Sequence, residues 1–278
     1  MPGESSKEIL VFCDGSSKGN PGPGGWGSLI ASPAWVRELG GLSWNTTNNQ
    51  MELTAAIEAL RYLSASDFSE FFPGDAQTNK INLEIFTDSK YLIQGATAWG
   101  FGWEKNGWLT KDGTPVLNQG YWQELFEILK RLKRNPKLTI FWNHVPGHAG
   151  VEGNERVDTI AQGFAVNDDV ELFLGEMKHY EGAHGISFGV LLKAKELALL
   201  KKAEAKEKDK AKMAGMSAAT VSEPGYPRYL SLARGELKTH LSWPECQNRV
   251  AGVSGAKFKK VKNLAEELTV KKSWGFHE

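Results

Sequence analysis

Four acidic residues on separate segments place the strongest constraint on how this chain can fold. Asp14, Glu52, Asp88 and Asp158 each lie in a local context that directs the side chain towards one shared place. Such a cluster does not stay fully ionised in a common cleft without cations, because each like charge raises the pKa of its neighbours. The four acids therefore indicate divalent metal ions and a substrate whose oxygens carry negative charge.

Two of these acids follow segments that are typical of buried strands. The apolar run Ile9 to Phe12 comes just before Asp14, and the apolar residues Ile81, Leu83, Ile85 and Phe86 come before Asp88. We expect Asp14 to cap its strand and to open a loop rich in glycine and proline, which leads through a hairpin into further strands. The other predicted strands are Trp26 to Ala31, Arg37 to Trp44 and Leu138 to Trp142.

The other two acids lie on predicted helices. Glu52 falls in the first turn of a helix whose start is marked by Thr47, Asn48 and Asn49, which are natural capping residues. The helix dipole alone also favours an acid there, so Glu52 indicates a metal site only in combination with the other three acids. Asp158 follows a glycine-rich loop and lies on a later helix. The order of strands and helices predicts an α/β fold, a mixed sheet with helices packed on it.

Several motifs together resemble a type 1 ribonuclease H. They are DGSSKGNPGPGGWG, TTNNQMEL, TDSKYLIQG, the series Trp99, Trp103 and Trp108, and GHAGVEGNERVDTIA. The resemblance covers about residues 8 to 166 and includes every motif in order. It implies the five-stranded mixed sheet with flanking helices of that superfamily.

The resemblance also implies a catalytic mechanism. Two magnesium ions, about 3.5 to 4 Å apart in such sites, would flank the scissile phosphate, one activating water and the other stabilising the leaving oxygen; manganese is a possible substitute. Asp14 would lie between both ions, with Glu52, Asp88 and Asp158 completing their ligands. His148 matches a mobile histidine that aids proton transfer or product release, the alternative being an ordinary surface residue. Cleavage would leave a 5′-phosphate and a 3′-hydroxyl.

RNA differs from DNA by its 2′-hydroxyl, which is exposed in the wide minor groove of the duplex. Small polar side chains and backbone groups near the metals would read this group on the RNA strand. The expected RNA-strand contacts are Ser17, Gly19, Asn20, Asn48 and Asn49.

For the DNA strand, the resemblance places a phosphate pocket at Thr47 and Asn118, and it places Trp103 on a channel that accepts a deoxyribose. Asn45 stands where some relatives have arginine, so the pocket is expected to be weaker here. Simple helix packing is the alternative role for Trp103.

Charge is distributed unevenly along a chain whose formal net charge is zero. Residues 1–165 contain 14 basic and 18 acidic residues, whereas residues 226–278 contain 10 basic and 5 acidic residues. An acidic catalytic segment binds a polyanion poorly by itself, because neutralisation of phosphates supplies much of the affinity for nucleic acid. The basic C-terminal segment is expected to compensate.

This C-terminal segment resembles the small hybrid-binding domain, also called the viroplasmin-like domain, and is expected to form a small α+β module. In relatives that domain usually precedes the catalytic module, whereas here it follows. The resemblance directs Tyr229 to the RNA strand. It directs Trp243, Phe258, Lys259 and Lys260 to the DNA strand. A basic tail with buried aromatic residues is the alternative.

The sequence therefore predicts four regions. Residues 1–166 form the catalytic domain, residues 167–192 an appended element of unknown role, residues 193–225 a linker, and residues 226–278 the hybrid-binding module. The first part of the linker is rich in Lys, Ala and Glu and is expected to be a solvated or fraying helix, and the second part to be disordered.

Cysteine usage and hydropathy indicate where such a protein works. The two cysteines, Cys13 and Cys246, lie in separate modules, so no disulfide framework is expected and a reducing compartment is indicated. The N-terminus lacks an apolar signal stretch and no run reaches membrane-spanning length. We therefore expect a cytoplasmic monomer that has no membrane partner.

The function predicted from the sequence is that of an endoribonuclease acting on the RNA strand of RNA·DNA hybrids with magnesium. One alternative is a non-catalytic binder of hybrids or double-stranded RNA, which the presence of all four acids disfavours. Another is a nuclease of the same superfamily that acts on DNA, which the amide-rich TTNNQ loop disfavours.

Overall fold

A computed structural model describes residues 7–73, 80–218, 227–262 and 264–276 of the chain. The chain divides into two compact units, residues 1–202 and residues 203–278. The predicted linker does not coincide with this division, because residues 193–202 belong to the first unit. Residues 219–225 of that linker lie outside the described residues.

The first unit is built on a mixed sheet of six strands in the order β5-β4-β1-β2-β3-β6. Parallel pairing joins β1 to β4 and β4 to β5, and antiparallel pairing joins the other neighbours. The strands are β1 (Lys7–Ser17), β2 (Gly22–Ala31), β3 (Trp35–Thr46), β4 (Ile81–Thr87), β5 (Leu138–His144) and β6 (Leu174–Glu176). The predicted mixed sheet is thus confirmed, and β6 extends the five expected strands by one.

Helices cover both faces of this sheet. They are α1 (Asn48–Ala65), α2 (Lys90–Gln94), α3 (Gly100–Lys105), α4 (Gln119–Leu132), α5 (Glu152–Ala165), α6 (Met177–His184) and α7 (Phe188–Ala218), with a π-helical turn at Gly95–Trp99 and a 3₁₀ turn at Phe68–Phe71. Because the sheet is covered on both sides, a central strand such as β1 is apolar on both faces. Ile9 and Val11 lie in the core with α1 and α4, and Leu10 and Phe12 lie in the core with α6 and α7.

Two glycines allow helices to approach the sheet closely. Gly15 on β1 lies against the backbone of α1 between Met51 and Glu52. Gly27 on β2 lies against α5, where a β-carbon in its place would be 2.6 Å from the carbonyl oxygen of Val157. A side chain at either position would collide with helix backbone, so both helices depend on glycine for their distance from the sheet.

The appended element of residues 167–192 completes the first unit. Its strand β6 pairs with β3, and Tyr180 on α6 is fully buried. The start of α7 is also packed on the sheet, with Leu191, Ala194 and Ala198 buried in the second core. Lys195 donates to Glu84 and Glu8 at 2.8 and 2.9 Å. The expectation of a solvated or fraying helix is therefore wrong for residues 193–202.

The second unit contains a three-stranded antiparallel sheet in the order β8-β7-β9. Its elements are β7 (Arg228–Ala233), β8 (Glu236–His240), α8 (Trp243–Val250), β9 (Lys257–Val261) and α9 (Leu264–Ser273). Leu230, Cys246 and Val261 are fully buried and form its small core. The predicted α+β module is confirmed.

Within the described part of the chain, no helix combines the length and apolar character needed to cross a bilayer.

Candidate active site

Asp14 lies inside strand β1, where it pairs with Gly27 of β2. The sequence placed it after the end of its strand, but pairing with β2 continues β1 as far as Ser17 and corrects that prediction. Its side chain is buried and accepts a hydrogen bond of 2.7 Å from the amide of Gly15. The carboxylate is therefore held on an extended backbone, rather than on a loop.

Glu52 is positioned by the first turn of α1. Thr47 caps this helix through a reciprocal pair of hydrogen bonds with Gln50, at 3.1 and 3.3 Å. The buried Glu52 carboxylate accepts hydrogen bonds from the hydroxyl of Ser89 and, at 3.0 Å, from the side-chain amide of Asn48. The cap and these two donors together fix where the carboxylate lies.

Asp88 and Asp158 reach the same region from β4 and α5. Asp88 directly follows β4, which pairs in parallel with β1. Phe12 is paired with Phe86, and Asp14 and Asp88 each come two residues later along the chain. Asp158 follows Val157, the residue whose carbonyl lies against Gly27, the partner of Asp14. Its Oδ1 accepts a 2.7 Å hydrogen bond from Gln162, one turn further along α5.

The four acids perturb one another electrostatically. Burial raises the pKa of Asp14 to about 8, with further contributions from the charges of Asp88, Asp158 and Glu52. Burial likewise raises the pKa of Glu52, with a contribution from Asp88, and that of Asp88, with a contribution from Asp158. Because charges shift the pKa of a neighbour only over short distances, these mutual effects agree with the strand and helix positions that bring the four acids to one region.

The chemistry of this site suits hard divalent cations. Its donors are carboxylate oxygens, the ligands that magnesium and calcium prefer. Among the described residues, however, no three acidic, histidine or cysteine side chains are already arranged to hold an ion. Glu52 is engaged by Ser89 and Asn48 instead. The donor set therefore fits a divalent ion, and its raised pKa values reflect burial first and then mutual repulsion, which a bound cation would relieve.

The raised pKa of Asp14 predicts how the metal-free protein responds to pH. The ordinary pKa of this carboxyl is 3.8 and its pKa in the folded protein is about 8. Between these two pH values the folded chain keeps a proton on Asp14 that the unfolded chain has lost. Stability falls with rising pH wherever the folded state binds more protons. In EDTA, we expect the melting temperature of the wild type to fall relative to that of Asp14→Asn from pH 5 to pH 8, by about 5 °C or more. Parallel melting curves across this range would contradict the expectation.

His148 stands in the loop between β5 and α5 with a left-handed backbone, φ 52°. Its Nδ1 is 3.9 Å from Oδ2 of Asp158, and its side chain is 83% exposed. The loop is tied to α5 by a 2.8 Å hydrogen bond from the Gly150 amide to Glu155. His148 therefore lies beside the acids and is free to reach solvent.

The residues expected to read the RNA strand lie on two neighbouring segments. Ser17 ends β1, and its hydroxyl donates to the carbonyl of Gly19 at 2.8 Å. Asn20 follows in the turn before β2, while Asn48 and Asn49 begin α1. Because Gly15 packs on the start of α1, the structure brings these two segments together beside Asp14 and Glu52.

Thr47 and Asn118, the residues predicted to hold a DNA-strand phosphate, are joined by residues that the sequence analysis did not select. Gln50 of the α1 cap donates to Asn118 at 3.3 Å and so joins it to Thr47. The hydroxyl of Tyr91 accepts from the Asn118 amide at 3.3 Å and donates to the carbonyl of Leu117 at 3.1 Å. The T-x-x-Q pattern of a capping box could have identified Gln50. Nothing local in the sequence identifies Tyr91.

Trp103 occupies the edge of an aromatic cluster. Its ring lies 5.7 Å from that of Trp99 and 5.5 Å from that of the fully buried Trp122. Trp103 itself is partly buried. Packing and substrate contact are therefore compatible at this position, since one part of the ring supports the helices and another part remains accessible.

In the second unit, the three predicted aromatic residues form one cluster. The ring of Trp243 is 5.7 Å from that of Tyr229 and 5.1 Å from that of Phe258, which is 53% exposed. Lys260 lies 5.7 Å from the centre of the Tyr229 ring, across the β7–β9 pair. Lys259 on the same strand is exposed. This arrangement combines stacking surfaces with cations, as binding to a nucleic-acid backbone requires.

Comparison with known proteins agrees with the description of both the first and the second unit. The family described as RNase H matches residues 6–165, and the ribonuclease H1 N-terminal domain matches residues 240–266. A ribonuclease H of Rickettsia massiliae is 43% identical over 154 residues, which cover 55% of this chain and 88% of that protein. A ribonuclease H of Mesorhizobium japonicum is 43% identical over 157 residues, covering 56% and 77%. The crystal structure of LC9-RNase H1, a type 1 RNase H with the type 2 active-site motif, aligns with a TM-score of 0.49 and 25% identity, covering 68% and 86%.

Proposed function

The chain belongs to the ribonuclease H family and is a ribonuclease H, and on this premise we propose that it cuts the RNA strand of RNA·DNA hybrids internally with two divalent ions. The products would carry a 5′-phosphate and a 3′-hydroxyl. The observation that carries the proposal is the convergence of four carboxylates from β1, α1, the end of β4 and α5, since β1 packs on the start of α1, pairs with β4, and pairs with β2 at the glycine that touches α5.

The acids divide the work of holding the ions. Asp14 is buried and its pKa is raised by the charges of all three other acids, so we place it at the centre, with Glu52, Asp88 and Asp158 around it. Two magnesium ions bound there would supply activation of water and stabilisation of the leaving oxygen. The chain's own part is to hold these carboxylates in place.

His148 moves a proton at the edge of the site. Its exposed imidazole lies near Asp158 and can pass a proton between the leaving 3′-oxygen and solvent, or help the product to leave. Imidazole suits this task because its ordinary pKa lies near neutrality. Replacement by alanine would slow cleavage while sparing the four carboxylates.

Strand selection follows from polar groups beside the acids. Ser17, Asn20, Asn48 and Asn49 offer hydroxyl and amide groups to the 2′-hydroxyls that mark an RNA strand. On the other strand, the pocket of Thr47, Gln50 and Asn118 would take a phosphate, and Trp103 would pack against a deoxyribose. Asn48 also donates to Glu52, so recognition of RNA is linked directly to a metal-binding side chain.

A substrate panel tests this proposal. We expect cleavage of an RNA·DNA hybrid with magnesium, and neither duplex DNA nor duplex RNA should be cut at a comparable rate. Manganese should replace magnesium, and EDTA should stop the reaction. Products that can be ligated directly at their 5′ ends would carry the predicted 5′-phosphate. Cleavage of duplex DNA would instead support a DNA-acting nuclease, and hybrid binding without any cleavage would support a binder.

The C-terminal module is proposed to hold the same hybrid. Trp243→Ala removes the ring shared by Tyr229 and Phe258, and loss of one stacked aromatic costs about 1–3 kcal/mol of binding. We expect roughly tenfold weaker hybrid binding at physiological salt, with an unchanged cleavage rate at saturating substrate. Fluorescence anisotropy across a salt series measures the first and single-turnover kinetics the second. Leu241→Ala, which removes an exposed apolar side chain from the same module, is the matched control.

A further inference from the structure

Glu38 on β3 is a buried carboxylate outside the cluster of four acids. Its side chain is fully shielded from solvent and accepts four hydrogen bonds. Two come from the guanidinium of Arg156 at 2.7 and 2.8 Å, one from the hydroxyl of Tyr180 at 2.8 Å, and one from the amide of Phe173 at 3.0 Å. A buried charge is tolerated only when it is paired and saturated in this way. We call these four residues the Glu38 clamp.

The clamp acts on the helix that carries Asp158. Three consecutive residues of α5 face three neighbouring strands, two of them through direct contacts and the third through its charge. Arg156 is bound to Glu38 on β3, the carbonyl of Val157 lies against Gly27 on β2, and Asp158 acts on Asp14 of β1. Any rotation of α5 about its axis would therefore move the Asp158 carboxylate and break the Arg156 pair together.

Half of the donors in the clamp come from outside the segment that matches the family. Phe173 and Tyr180 belong to the appended element, whereas the match ends at residue 165. The carbonyl of Glu171 also accepts from Arg156 at 3.3 Å. Without Phe173 and Tyr180, Glu38 would keep only the two bonds from Arg156, and a network that loses part of its partners becomes less rigid.

We propose that Tyr180 and Glu38 are positioning residues, through which the appended element orients Arg156 and thereby holds the Asp158 carboxylate where it binds a divalent ion. This inference rests on the proposed function of the four acids. It gives residues 171–180 a role in catalysis, although none of them touches the reacting atoms. Supporting groups of this kind set the orientation of metal ligands, and their loss typically weakens metal binding by about 10–100-fold.

Tyr180→Phe tests the inference, because it removes one hydroxyl and leaves the ring in place. We expect the magnesium concentration for half-maximal cleavage to rise about tenfold, with kcat at saturating magnesium falling less. Calorimetric titration of the metal-free protein with manganese should show the same weakening without substrate or turnover. Glu38→Gln, which keeps the shape of the side chain and removes its charge, should change both quantities in the same direction.

Leu191→Ala is the matched control. Leu191 is 1% exposed in the same core as Tyr180, but it contributes nothing to the clamp. It should lower the melting temperature without changing the magnesium dependence. If Tyr180→Phe and Glu38→Gln match Leu191→Ala in metal binding, the clamp is only structural and the inference is wrong. If the wild type itself neither binds manganese nor cleaves hybrids, the proposed function fails instead.

Discussion

Replacing Asp14 by asparagine should abolish hybrid cleavage and leave hybrid binding intact. In the proposed mechanism this carboxylate lies at the centre of the four acids, and the charges of the other three all raise its pKa. An amide of the same shape removes the charge that would hold the ions, and with it several kcal/mol of transition-state stabilisation. A loss of ~4 kcal/mol corresponds to a rate about 10³-fold lower. Single-turnover cleavage of a hybrid measures this loss, and anisotropy measures the binding.

The control for this substitution is Asp112→Asn, which changes an exposed acid in the turn between Thr110 and Thr114. It should leave the cleavage rate within twofold of the wild type, since an exposed charge is well screened. If Asp14→Asn retains wild-type cleavage, the four acids are not the catalytic centre. If it loses hybrid binding and cleavage together while remaining folded, Asp14 serves recognition instead.

The candidate site was largely predictable because its signals are local. A strand pattern followed by an acid identified Asp14 and Asp88, and capping residues identified the helix turn of Glu52. The sequence could not show that β1 continues past Asp14, because its extension depends on pairing with Gly24 and its neighbours on β2. Strand ends are decided by tertiary partners, which a local pattern does not contain.

The Glu38 clamp could not be predicted either, because it also depends on tertiary partners, which here lie far away in the sequence. Glu38 and Tyr180 are 142 residues apart in sequence. Nothing near Glu38 distinguishes it from a solvated acid on an edge strand. Its burial becomes apparent only when β6 and α6 cover that edge.

The start of α7 did contain a signal, although a weak one. Leu191, Ala194 and Ala198 recur at helical spacing on one face, and all three are buried. Two of them are alanines, so the apolar stripe has little hydrophobicity and resembles a solvated helix. The ion pair of Lys195 with Glu84 is equally hidden, because lysines in such a segment usually face water.

A chain that ends at Val166 should fail to fold, whereas a chain that ends at Lys202 should fold and cleave hybrids. The first truncation removes Met177, Tyr180, Ile186 and Leu191 from the second core. At about 1.5–3 kcal/mol for each large apolar side chain, the loss reaches about 6–12 kcal/mol. This is comparable to the whole stability of a typical domain, about 5–15 kcal/mol.

The same truncation also leaves two buried carboxylates without some of their hydrogen-bonding and ion-pair partners. Glu38 loses the donors from Tyr180 and Phe173, and Glu84 loses its ion pair with Lys195. Circular dichroism, thermal melting and limited proteolysis of the two truncated chains give the comparison, with the full-length chain as reference. A cooperative melt from the 1–166 chain, at the temperature of the 1–202 chain, would show that the appended element adds nothing to the catalytic unit. If the 1–202 chain folds and cleaves while the 1–166 chain does not, the catalytic unit extends into α7, well beyond the segment that carries its four acids.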